Sequence, residues 1–342
     1  MRTKRLRVLH LTQPWMLPPE DPQSYSEKEQ RVWKTDLDVV KTLRKLHHDV
    51  ESLGIEDELQ PIRTAIERFQ PHVVFNLVEA FAGMSELDQH VVSYLELLGI
   101  PYTGCSPRGL VLARSKALSK KILAYHRIPS PRFDVYPRGR KVRRRAELQF
   151  PLFVKSLTEE SSQGISQASI VDSDASLSER VAFVHERVGT DAIAEQFIEG
   201  RELYVGALGN DRVQILPTWE LTFENLPRGT AAIATSKVKH DPDYQVKAGI
   251  MQGPAEGLPP AIARTIAATT RRIYRALELD GYARIDYRLG QDEKLYFLEA
   301  NPNPDLASDE EFANAAGEAG LAYKVLIQKI VTLGLRRGAR YR

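Results

Sequence analysis

Residues 283–304 read ARIDYRLGQDEKLYFLEANPNP. Two runs of alternating apolar and polar residues flank Leu-Gly-Gln-Asp-Glu-Lys, whose glycine and polar side chains suit a turn between antiparallel strands. Side chains alternate faces along a strand, so Arg284 and Asp286 share one face, and Glu299 and Asn301 share one face of the partner. With those faces aligned, two carboxylates and an amide oxygen converge beside an arginine. Hard oxygen donors of this kind suit Mg²⁺, which takes one or two carboxylates and completes its shell with substrate phosphates. The competing reading is a solvent-facing sheet surface, where charges at period two are ordinary. The abrupt Asn301-Pro302-Asn303-Pro304 ending favours a site.

Two further segments lie upstream of that hairpin. The strand PLFVK closes on Lys155 and runs into SLTEESSQGIS (156–166), a loop of small residues. Backbone N–H groups of such a loop can cradle phosphates, with the lysine as a point charge; an exposed turn with a snorkelling lysine is the alternative. In AEQFIEGRELYV (194–205), Glu195 and Glu202 flank a strand end and a turn at Gly200. A carboxylate there can accept from ribose hydroxyls, or can face water in an ordinary turn.

The whole chain has 342 residues, 47 Lys and Arg against 45 Asp and Glu, and a net charge of +2. That length predicts two or three domains with a sizeable core. Hydrophobic residues at 42% and charged residues at 27% exclude disordered, collagen-like and coiled-coil classes. The near-neutral balance argues against a dedicated nucleic-acid binder. Cys105 is the single cysteine, which rules out an intrachain disulfide and a cysteine-based zinc site and fits a cytoplasmic setting. The N-terminal apolar run is broken by His10, Thr12 and Gln13, too early for a signal peptide, and no 18-residue apolar run exists to span a membrane. No GxxxxGK[ST], HExxH or GxGxxG motif occurs.

Strand and helix alternate over roughly residues 1–105. RLRVLHLT (5–12) and HVVFNLV (72–78) read as strands; Leu37, Val40, Leu43 and Leu46 repeat at helical spacing, and DQHVVSYLELLGIP ends on Gly99 and Pro101. This predicts a parallel α/β sheet. SKALSKKILAYHRIP (115–129) reads as a helix closed by proline, and FPLFVKS (150–156) as a strand. The later chain is strand-rich, with hairpin turns at LGNDR and LGQDEK, and a Gly-, Pro- and charge-rich stretch from Phe223 to Gly257 reads as a mobile lid. The expected organisation is an α/β domain over 1–113 followed by two α+β lobes over 114–200 and 201–342.

Taken in order, these segments resemble the ATP-grasp superfamily and, within it, the D-alanine–D-alanine ligase-like branch. GIPYTGCSPRGLVLARSKALSKKILAYHRIPSPRF (99–133) looks like that branch's IPYTGS segment and lysine-bearing helix. PLFVKSLTEESSQGIS is similar to its small loop, AEQFIEGRELYV to its E…G.E hinge, and GYARIDYRL…LYFLEANPNP to its metal hairpin. The resemblance implies an ATP-grasp fold with an N-terminal pre-ATP-grasp domain, a central small-loop lobe and a C-terminal antiparallel lobe. It also implies ATP with Mg²⁺, usually two ions with Mn²⁺ as a substitute, and a carboxylate activated as an acyl phosphate. Lys116 and Lys155 would contact ATP phosphates, Glu202 the ribose, and Glu195 the neighbourhood of the adenine amino group. Asp286, Glu299 and Asn301 would hold the Mg²⁺ ions, and Arg284 would stabilise the developing oxyanion. Ser161 and Ser162 would close over phosphates or substrate, and Lys237, with Lys239 as the alternative, would reach phosphate from the lid. A homodimer is also implied.

The likeness breaks at the substrate end. The branch's glutamate motif after the first strand has no clear counterpart in LTQPWMLPPEDPQSYSEKEQRVW, where Glu29 is a nearby candidate, and NLVEAFAGMSELDQH replaces another motif. Past the hairpin, Asp309, Glu310 and Glu311 would repel an acceptor's carboxylate and suit a cationic or amine-bearing one. The expectation is therefore an ATP-dependent carboxylate–amine ligase for amino acids or small peptides other than a pair of D-alanines. A phosphotransferase on the same scaffold and a nucleotide-binding regulator without turnover are the rivals. The basic run RGRKVRRR (138–145) reads as a solvated loop.

Overall fold

The computed structural model describes residues 4–159 and 164–338. The first sheet is parallel, in the order β2-β1-β3, from β1 (Arg7–Thr12), β2 (Asp49–Gly54) and β3 (Val73–Asn76). Val8, Leu9 and Leu11 are all buried, the continuous apolar burial of a strand covered on both faces. Helix Lys34–Lys45 covers one side, and its Asp36 meets the buried His10 of β1 at 2.8 Å.

The second sheet is antiparallel, in the order β4-β7-β5-β6, from β4 (Phe133–Tyr136), β5 (Leu152–Ser156), β6 (Ile170–Val171) and β7 (Ala192–Gln196). Helix Asp174–Phe183 packs Leu177 and Val181 onto it. The third sheet, also antiparallel, runs β10-β9-β8-β11-β12, from β8 (Gly200–Leu208), β9 (Gln214–Phe223), β10 (Ile250–Pro254), β11 (Tyr282–Gly290) and β12 (Leu295–Pro302).

Helix Lys116–Tyr125 starts where the sequence predicts, because the Ser115 hydroxyl caps it by accepting from the Leu118 amide at 3.3 Å. The stretch 223–257, expected as a lid, contains regular structure. It holds two short helices, Ser236–His240 and Pro242–Ala248, capped by Thr235 and Asp241 and ended at Gly249 with φ +57°, before β10 pairs with β9. The polar residues that look like loop composition are therefore cap residues. The basic run 138–145 forms no helix or strand; Arg144 pairs with Asp174 and Arg145 with Asp134.

The C-terminal helix Tyr323–Gly338 ties the chain's beginning to its end. Leu326, Ile327, Ile330 and Val331 share a core with Val8 of β1 and with Val73 and Phe75 of β3. Arg337 donates to the Gly104 carbonyl at 2.6 Å, meets Asp280 at 2.7 Å and lies over the Tyr102 ring. Gly281 sits at φ +70°, where a Cβ would approach the Gly104 carbonyl oxygen to 2.5 Å, so the two loops meet only through glycine. The Asn303 side chain accepts from the Cys105 amide at 2.7 Å, fixing the end of β12 against the same loop.

Candidate active site

The hairpin β11–β12 sets Asp286 directly opposite Glu299 and Arg284 opposite Asn301. Arg284 donates to both Asp286 oxygens, at 2.7 and 2.9 Å, and to Glu311; Asn301 adds its side-chain N–H to Asp286 at 2.9 Å. Burial works against the Arg284 charge, yet Asp286 and Glu311 outweigh it and hold the guanidinium well above its usual range. Burial lifts the Asp286 carboxyl to about 6; Arg284 opposes this, while Glu299 and Glu311 add to it.

Glu299 shares a sheet face with Asp286 and lines the same cleft, and it also reaches the second sheet. Its carboxylate lies 3.4 Å from Lys155 at the end of β5 and 3.6 Å from Lys116 at the start of its helix. Lys155 is also 3.5 Å from Glu195 on β7, which in turn is 3.2 Å from Lys120. Five side chains thus alternate in sign, Lys116–Glu299–Lys155–Glu195–Lys120, and they join the second sheet to the third. Burial pulls Lys155 down, but Glu195 and Glu299 reverse this and hold it above the ordinary lysine range. The fully buried Lys120 donates to the Leu298 carbonyl at 2.7 Å and the Phe297 carbonyl at 3.2 Å. Desolvation brings it down to about 8 despite Glu195, with Lys155 adding to the drop.

This row borders a cleft lined by apolar Phe153, Phe197, Ile198, Ile233 and Leu298 and by Lys116, Lys155, Glu195, Glu202, Asp286 and Glu299. A slot lined by both apolar and charged side chains suits a ligand with a flat apolar part and an anionic part. Glu202 on β8 lies in its wall, accepting from Arg288 at 2.7 Å and from the Tyr204 hydroxyl at 2.8 Å.

Eight of the eleven residues singled out in the sequence therefore line the cleft or adjoin it. Ser161 and Ser162 lie outside the described residues. Lys237 is exposed and is not among the residues lining the cleft. Glu29 caps its own turn, accepting from the Ser26 amide and hydroxyl at 2.9 and 2.6 Å. Glu195 is engaged with Lys120 and Lys155, so its nearest neighbours are cations. Sequence reasoning missed Arg288 and Lys120. Arg288 continues the period-two series of Arg284 and Asp286, and Lys120 lies one helical turn beyond Lys116, so both carried a signal.

Among the described residues no three His, Cys, Asp or Glu side chains are gathered as a metal cluster. Asp286, Glu299 and Asn301 nonetheless supply hard oxygens from adjacent strands, a partial donor set that fits Mg²⁺ when phosphate oxygens complete it. Beyond the hairpin, Asp309 pairs with Lys34 at 3.0 Å and Asp305 accepts from Thr35 at 2.5 Å. Glu310 is pushed up to about 7 by burial and by Asp305, Glu311 and Asp309. No helix among the described residues is long and apolar enough to cross a membrane.

A family model described as D-ala D-ala ligase C-terminus matches residues 122–332. An uncharacterised protein, y4sG, of Sinorhizobium fredii is 33% identical over 311 residues, spanning 87% of each chain. The D-alanine–D-alanine ligase of Desulforudis audaxviator is 32% identical over 257 residues, covering 73% of this chain and 78% of its own. In three dimensions the D-alanine–D-alanine ligase of Bacillus anthracis, solved in complex with ATP, superposes with a TM-score of 0.75 over 98% of this chain and 99% of that one, at 22% identity. The architecture is thus the ATP-grasp fold expected from the sequence, and by its sequence matches the chain belongs to the D-alanine–D-alanine ligase family.

Proposed function

We propose that this chain is an ATP- and Mg²⁺-dependent ligase that joins a carboxylate to an amine through an acyl phosphate and releases ADP and phosphate. Its substrates are amino acids or small peptides other than a pair of D-alanines, with a cationic or amine-bearing acceptor. The observation that carries this reading is the alternating row Lys116–Glu299–Lys155–Glu195–Lys120 beside the Asp286–Glu299 strand pair at the cleft.

A carboxylate attacking the γ-phosphate approaches like charge, so cations must neutralise the phosphates first. Lys116 and Lys155 take that role, and Glu202 receives the ribose. Asp286, Glu299 and Asn301 would hold Mg²⁺, which supplies charge neutralisation and in-line orientation of the phosphates. Arg284, anchored by Asp286 and Glu311, stabilises the oxyanion as the amine adds to the acyl phosphate. Ser161 and Ser162 are assigned to the phosphates or substrate by the resemblance alone, and the stretch 223–257 keeps water from the intermediate. Of the acidic residues past the hairpin, Asp309 pairs with Lys34 and Glu311 with Arg284, so the preference for an acceptor that brings positive charge rests on Glu310.

The test is release of ADP and phosphate from Mg-ATP, with carboxylates and amines supplied singly and in pairs and the product weighed. Release that needs a pair, with a product one water lighter than its parts, is expected. Release with a single hydroxyl compound and a phosphorylated product would replace the ligase by a phosphotransferase. ATP turnover retained in a folded D286A/E299A variant would remove the metal-hairpin assignment.

A further inference from the structure

Arg288 stands directly opposite Glu202 across the β8–β11 ladder, 6% exposed, and lines the cleft with it. Its guanidinium makes three contacts besides closing the cleft wall. One Nη2 hydrogen goes to Glu202 Oε2 at 2.7 Å, the other to the Ala232 carbonyl at 2.8 Å, and Nη1 donates to the Gly200 carbonyl at 2.8 Å. The two carbonyls come from separate segments, so the plane of the fork is fixed before any ligand arrives. Glu202 Oε1 meanwhile accepts from the Tyr204 hydroxyl at 2.8 Å.

A carboxylate has about four acceptor positions. Two on Glu202 are taken, one on each oxygen, which leaves one on each oxygen. Two acceptor positions on neighbouring oxygens match two vicinal hydroxyls. Without the guanidinium, the same carboxylate would sit in an apolar slot with only a phenol to hold it, free to turn away or withdraw.

We propose that Arg288 is a positioning residue that sets the sugar selectivity of the nucleotide site by aiming Glu202 at the two ribose hydroxyls. This rests on the proposal that the cleft takes ATP with its ribose at Glu202. Arg288 itself touches no part of the nucleotide; it acts through Glu202 and through the anchored carbonyls.

The test is calorimetric binding of ATP and of 2′,3′-dideoxy-ATP, each with Mg²⁺ and without carboxylate substrate, to the full chain and to its R288M and E202Q variants. The wild type is expected to prefer ATP by about tenfold, as for a hydrogen bond pair to a charged acceptor. R288M and E202Q are expected to bind dideoxy-ATP nearly as the wild type does and to lose the preference to within about twofold. R288K covers the case in which R288M fails to fold. Its point charge cannot span three acceptors, so most of the preference is expected to vanish there too. Full preference in a folded Arg288 variant would overturn the proposal. So would equal weakening of both nucleotides, which would make Arg288 merely structural. A wild type that binds both nucleotides alike would overturn the ribose assignment of Glu202 and this inference with it, leaving the ATP site standing. A wild type that binds neither would refute the ATP reading itself.

Discussion

Removing the charge of Glu299 has opposite consequences with and without metal. In the ligand-free protein its carboxylate is 3.4 Å from Lys155 and 3.6 Å from Lys116. At an effective dielectric of about 20, one pair at that distance attracts by about 5 kcal/mol before solvation. Desolvation offsets most of this, leaving the roughly 1.5–3 kcal/mol typical of a hydrogen bond to a charged group. A metal-free triphosphate must displace Glu299 from both lysines and forfeits that amount. The isosteric E299Q leaves Lys155 to Glu195 alone and Lys116 to the Glu159 carbonyl, with no carboxylate bridging the two, so it is expected to bind ATP in EDTA about tenfold or more tightly than the wild type, at about 1.4 kcal/mol per decade. With Mg²⁺ the order reverses, because the variant has lost a metal carboxylate. Without any ligand, E299Q unfolds at lower denaturant, since Lys116 and Lys155 face each other with Glu195 as the remaining counter-charge in the row. Calorimetry with and without EDTA reads the first effect and a denaturant midpoint the second. Equal or weaker ATP binding by E299Q in EDTA would show that the lysines are not held in reserve by Glu299.

Asp286 gives a pH dependence of defined sign. Its folded carboxyl keeps a proton up to about 6, whereas an unfolded aspartate releases it near 4. The folded chain binds more protons in that window, so this group's contribution to ligand-free stability falls as pH rises from about 4 to about 6. D286N should flatten the difference; an unchanged midpoint difference between wild type and variant at about pH 4 and pH 6 would contradict it. Replacing Glu310 by glutamine should lower kcat/KM for a cationic acceptor about tenfold while the KM for ATP holds, if that carboxyl receives the amine. Equal rates with charged and neutral acceptors in both proteins would move the acceptor elsewhere. Gly281→Ala should cost about 2 kcal/mol or more, from the left-handed backbone and the 2.5 Å approach to the Gly104 carbonyl. An unchanged denaturant midpoint would show that the two loops can separate freely.

The hairpin 283–304 was readable because its information is local. Period-two alternation, a short polar turn and a proline-rich stop together specify two strands, and their pairing follows from the turn. Lys116 and Lys155 carry no such local mark. They sit on a helix and a strand that meet only in three dimensions, and their order along the chain pointed to them through resemblance. What each charge faces was not readable at all. That Glu195 lies between two lysines depends on β7 pairing with β5 and on helix Lys116–Tyr125 crossing to β12. The order β10-β9-β8-β11-β12 was hidden for the same reason, since β8 and β11 are neighbours separated by more than seventy residues of chain. In 223–257, read from composition as a lid, aspartate, threonine and proline also mark helix starts, which composition alone does not locate.

The packing of helix Tyr323–Gly338 onto the first sheet has a bearing on how the chain is made. Val73 and Phe75 are translated some 250 residues, and Val8 some 320 residues, before Leu326 and Ile330, which pack in the same core. At about 5–20 residues per second, the opening third of the nascent polypeptide waits on the order of ten to fifty seconds with only helix Lys34–Lys45 over that core and the rest of it uncovered. Any fragment that stops short of residue 323 keeps that part of the core uncovered for good, so prematurely terminated chains of this protein expose apolar surface of the kind that chaperones bind or that aggregates.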